Sequence, residues 1–129
     1  MTSPATLAAA LRIHAQGLYC LEAAAELLIA QSWLHRPDFT GQFVRLHHGT
    51  HGGPPAATID WQAAVTALGT SLACSGGERR MLRITASLAD GIVVDLQDTV
   101  TGIDDRNVEF LIAAIRHASG KRPGNSGYR

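Results

Sequence analysis

The sequence predicts a mostly α fold: a long N-terminal helix packed with four or five shorter helices, and at most a small β-hairpin. Three features carry that expectation. Leu7, Leu11, His14, Leu18, Leu21, Ala25, Leu28 and Ser32 alternate between spacings of four and three, which lays one seam along a helix. From residue 60 onward, capping residues pair with stop glycines: Asp60 with Gly69, Ser75 with Gly91, Asp95 with Gly102, Asp104 with Gly120. Strand signals are scarce, and the best of them, Ile92-Val93-Val94, is too short to carry a sheet.

Residues 3–34 read as one helix. Its length would be roughly 45 Å, wider than a compact domain of this size. Ser3 can cap it, and Pro4 suits its first turn, where a missing N–H costs nothing. Gly17 is the weak position, costing about 1 kcal/mol relative to Ala, and a break there into two helices is the alternative. Pro37 ends the run. Asp38 can cap a short helix through Phe39, Phe43 and Leu46, with a strand over 43–47 as the other option. The stretch 48–57, HGTHGGPPAA, is a loop. Asp60 opens a helix over Trp61 to Leu68, and Ser75 with Glu78 forms a capping box for a helix reaching Asp90. Asp95 caps a short helix, and Asp104 caps the last one. In that last helix Ile103 and Val108 are placed for a staple, and Val108, Leu111, Ile115 and Ala118 form the expected inner face. Trp33, Phe39, Phe43 and Trp61 fall near element ends and are expected to meet in one cluster.

The domain expectation is a single helical unit over 1–120. It divides into a long helix over 1–36, a short helix with a Gly/His/Pro loop over 37–58, and a helical part over 59–120. Residues 121–129 are expected to be a mobile basic tail.

The chain has 129 residues, of which 46% are apolar, so it can bury a core without a disulfide or metal. Eleven basic residues balance eleven acidic ones, and no global field draws the chain to nucleic acid or anionic lipid. Only Lys121 among the basic residues is lysine, a bias that accompanies GC-rich bacterial genomes. No signal-like leader and no apolar run approaching a membrane span is present, and Glu22 and Glu26 interrupt the long helix. Cys20 and Cys74 do not make a disulfide framework. The expectation is a cytoplasmic protein with reduced thiols.

Several constellations bear on chemistry. His47, His48 and His51 crowd a Gly-rich loop and are the candidate metal ligands, three where a structural zinc site wants four. His14 lies on the helix seam, where a polar residue sets register. Cys74 precedes a helix N-terminus with Arg79 and Arg80 one turn in, but no His stands beside it to act as a base. Arg79, Arg80 and Arg83 share a helix face that suits a solvated surface partly paired with acids.

Ser75-Gly76-Gly77-Glu78-Arg79-Arg80 resembles the signature motif of ABC-type ATPases. The stretch from Ile92 to Asp98 resembles that family's Walker B strand, and Thr101-Gly102-Ile103-Asp104 the loop after it. The resemblance implies contact with a nucleotide γ-phosphate at a helix N-terminus. No G-x-x-x-x-G-K-[ST] loop occurs, and Thr99 stands at the position of the family's catalytic Glu, so what is implied is a nucleotide-binding remnant over 75–104.

Residues 94–118 can also be laid on a helix-turn-helix with Gly102 in the turn. A recognition helix there would begin Asp104-Asp105-Arg106-Asn107, and two carboxylates are repelled by phosphates. The leading expectation is a small helical protein that uses no cofactor and acts through protein–protein contact as a homodimer; whether it is an enzyme is left open, leaning against. Its expected interface is Leu7, Leu11, His14, Leu18, Leu21 and Leu28. A DNA-binding regulator over 94–118 and the nucleotide-binding remnant are the alternatives.

Overall fold

The N-terminal helix is broken. In the computed structural model, which describes residues 2–121, α1 spans Pro4–Ala15 and α2 spans Tyr19–Ala30. Ser3 caps α1 by accepting from the Thr6 N–H. Gly17 takes φ +87°, the left-handed region that ends helices, and the continuous rod is corrected to an αα pair. The Gly17 N–H donates to Glu22 Oε2 at 3.0 Å, so the first turn of α2 holds the corner.

After a 3-10 turn at Trp33–His35, α3 runs Pro37–Phe43 and passes directly into β1, Val44–His47. Helix and strand both occur here, one after the other, but the helix is shorter than expected and Asp38 does not cap it: the N-cap is Arg36, and Asp38 stands in the first turn, where its carboxylate pairs with Arg36. The partner strand β2, Ala56–Ile59, begins in the last two residues of the expected loop. The strands are antiparallel, with Val44 opposite Ile59 and His47 opposite Ala56. The remaining helices are α4 (Trp61–Ala67), α5 (Gly76–Asp90), α6 (Leu96–Val100) and α7 (Asp105–Ala118). The fold is mostly α with one small hairpin. Asp60, Ser75, Asp95 and Asp104 each cap a helix as expected, and Ser75 with Glu78 closes a reciprocal capping box. Ile92-Val93-Val94 forms no strand, because no neighbouring backbone offers it a ladder; Val93 is 94% exposed.

The larger core cluster lies between α1, α2, the hairpin, α4 and α5, and it contains Trp33, Phe39, Phe43 and Trp61. The rings of Trp33 and Phe39 are 5.2 Å apart and those of Phe39 and Phe43 5.5 Å. A smaller cluster joins α2, α5 and α7 through Ala23, Leu27, Met81, Ile84 and Ala114. α2 therefore buries Ala25 and Leu28 on one side and Ala23 and Leu27 on another. A helix that is apolar around most of its girth belongs at the centre, and α2 packs against α1, α5 and α7.

Candidate functional site

The expected interface residues do not share a free surface. Leu7, Leu11 and Leu28 are buried in the chain's own core, and Leu21 is half-buried. His14 and Leu18 are exposed, with Leu18 at the N-cap of α2. The seam was real as a spacing. Once Gly17 turns the chain, its two halves point in different directions, and α1 and α2 satisfy their apolar faces within one molecule.

The candidate metal ligands are not drawn together. His47 sits on β1 with Nε2 2.9 Å from Thr58 Oγ1, while His48 and His51 are exposed. No group of three or more His, Cys, Asp or Glu side chains able to hold a metal occurs among the described residues. Cys20 is exposed and Cys74 half-buried. The Ser75–Arg80 stretch forms the first turns of α5, where its Ser and Glu are occupied by the capping box. Arg80 faces Asp95 and Asp98 across an open hollow, so a phosphate there would meet two carboxylates. α6 spans five residues only, and the N-terminus of α7 presents Asp104 and Asp105.

Arg36 makes several polar contacts at once. Its guanidinium lies 4.8 Å from the Trp33 ring centroid, forks onto both carboxylate oxygens of Asp38, and donates to the Ala73 carbonyl. The hydrogen bonds from Arg36 hold the Asp38 carboxyl below its usual range. This cluster ties α3 to the segment entering α5 and is structural in character.

Among the described residues, α7 contributes to two features that nothing in the structure covers: an exposed apolar row and a groove. The first is its outer face. Of the fourteen residues of α7 only Ala114 is buried, although Val108, Phe110, Leu111, Ile112 and Ile115 are all large and apolar. Ile115, expected on the inner face, is 55% exposed, and Ile112 is 43% exposed. The helix is turned so that Phe110, Ala114 and His117 approach α2, while Leu111 and Ala118 lean on the smaller core. That rotation is set by two polar ties across the α2–α7 contact. Gln31 donates to Asn107 Oδ1 at 2.8 Å, and His117 Nε2 lies 2.7 Å from Glu22 Oε1. Val108, Ile112 and Ile115 are left as a second row at spacings of four and three, flanked on the solvent side by Glu109 and Arg116.

The second feature is a groove of about 450 Å³ between α2 and α7. Ala23, Leu27 and Ala30 form one wall, Phe110, Ala113 and Ala114 the other, and Glu26, Arg116, His117 and Lys121 the rim. Alanines facing one another leave the space open. Sequence reading missed both features. The available signal was the excess of apolar residues in α7, too many for one stripe of a two-sided helix.

No family model, curated protein or solved structure matches this chain. The geometry alone bears on function.

Proposed function

We propose that this protein is a self-associating binding protein that acts through protein–protein contact, and that its homodimer forms through the outer face of α7. The exposed row of Ile112 and Ile115 carries this reading. Exposed large side chains scattered singly need no explanation, but two on adjacent turns of one helix, continued by Val108, make a stripe that gains by being covered.

The charges favour a second copy as the cover. In heptad terms Val108, Ile112 and Ile115 occupy the seam, and Glu109 and Arg116 are seven residues apart on the same flank. Two such helices packed antiparallel about a twofold axis set Glu109 against the partner copy's Arg116, and Arg116 against its Glu109. A parallel pair would put these two flanks on opposite sides of the seam, where Glu109 and Arg116 do not meet. The contact is isologous and closes at two chains.

Size-exclusion chromatography with light scattering tests this. At tens of micromolar the expected mass is twice the 13.7 kDa of one chain. Glu109→Arg should weaken the dimer about tenfold, because two symmetry-related pairs become repulsive. Adding Arg116→Glu to that variant should restore the original affinity. A wild-type monomer at about 100 μM, or a double variant as weak as the single one, overturns the reading.

A further inference from the structure

The geometry points to the α2–α7 groove as a binding site for a small amphipathic carboxylate, a molecule with an apolar body of medium-chain length and one anionic head. The volume, about 450 Å³, is within the range of small-molecule sites and below what a folded partner would fill. The walls are apolar side chains from two helices, and Phe110 supplies one aromatic face. The wall from Ala23 to Ala30 rises roughly 10 Å along α2, which suits an extended acyl chain and is short for a docked helix.

The rim decides the sign of the head group. Glu26 is neutralised by Arg12, whose Nε and terminal nitrogen donate to its two carboxylate oxygens at 2.8 and 2.9 Å. His117 is engaged by Glu22. Lys121 makes no ion pair among the described residues, and Arg116 likewise makes none within them. In the proposed dimer Arg116 gains an acid from the other copy, and Lys121 still does not. Among the described residues the rim therefore carries Arg116 and Lys121 without an ion-pair partner, and that positive charge attracts an anion and disfavours a cation. Arg116 lies in the last turn of α7 and Lys121 just beyond the helix, so both cations stand at one end of the groove.

Calorimetric titration of the full chain with decanoate, below its micelle concentration, tests the assignment against decanol and decyltrimethylammonium. Decanoate should bind with one site per chain. Decanol should bind about fivefold more weakly, and the cation more weakly still. Lys121→Ala should remove the advantage of decanoate over decanol. Ala113→Phe, a filling of the groove from an exposed position, should abolish binding of both, with an unchanged unfolding transition showing that the fold is kept. Glu109→Arg should leave binding intact, which separates this site from the α7 seam. Equal affinity for all three probes, insensitivity to Ala113→Phe, or no binding at millimolar decanoate overturns it; the last is the result expected of a groove reserved for a protein segment.

Discussion

Gly17 has no neighbour within 4 Å of the position a Cβ would take, so any cost of a side chain there comes from the backbone alone. At φ +87° an L-residue is strained, and Gly17→Ala should lower stability by about 1 kcal/mol. Were the helix continuous, the same change would stabilise by a similar amount through helix propensity. Urea unfolding of the two proteins reads the sign directly. Asp38 offers a second test. Its carboxyl is held below the usual range chiefly by hydrogen bonding from Arg36, so the ionised form is favoured in the folded chain. The contribution is complete above the unfolded carboxylate range and is lost as pH falls through the depressed folded value. Both partners are partly open to solvent, at 25% and 42%, which limits the effect to about 1 kcal/mol or less. Asp38→Asn should therefore be less stable than the wild type at neutral pH and indistinguishable from it in strong acid, as measured by denaturant unfolding at the two conditions. A deficit that persists in acid would place the stabilisation elsewhere.

Helix boundaries were the most legible elements because each is written in a few adjacent residues. Asp60, Ser75, Asp95 and Asp104 accept from backbone N–H groups three positions on, a requirement that any chain end of a helix imposes locally. Strand β2 was not legible: Ala56 and Ala57 are poor strand formers, and the segment is ordered by pairing with β1 rather than by its own preference. The reverse happened at Ile92-Val93-Val94, which has the propensity and lacks the partner. Leu18 illustrates the same dependence within a helix. On the seam of a rod it would be a contact residue, and Leu18→Asp would disrupt. Standing at the N-cap of α2, with extended backbone, 58% exposure and no side-chain cap, it is a position where Asp is favoured. Leu18→Asp is expected to stabilise by about 0.5 to 1 kcal/mol, whereas Leu28→Asp, at 0% exposure, should prevent folding. Thermal unfolding followed by circular dichroism distinguishes the two, and a destabilised Leu18→Asp protein would count against α2 beginning there.

Across the whole molecule, the break at Gly17 changes what is left over for association. Folding α1 back beside α2 consumes Leu7, Leu11 and Leu28, which as parts of a rod would have required a second chain. α2 becomes the central column, and α7 rests on it through Phe110, Ala114 and the Glu22–His117 and Gln31–Asn107 ties. Exposed apolar side chains remain on α7 at Ile112 and Ile115, as they do at Leu18 and around α6 at Val93, Leu96 and Val100. Among the described residues no helix is long and apolar enough to cross a membrane, so that surface is not part of a helical span. Self-association survives as a proposal on a surface different from the expected one.

The mostly helical class, the helix starts and the aromatic cluster could be read from the chain alone. Each depends on spacing and composition over a short stretch, where hydrogen-bond satisfaction and side-chain periodicity act between near neighbours. Which face of α7 meets the core, whether the leucines of α1 and α2 point inward or outward, and the existence of the α2–α7 groove could not be read that way. Those outcomes depend on which distant element arrives against each face. A single positive φ at Gly17 redirects the whole of α1 against α2, and a leucine pattern does not record whether its cover comes from the same chain or from another.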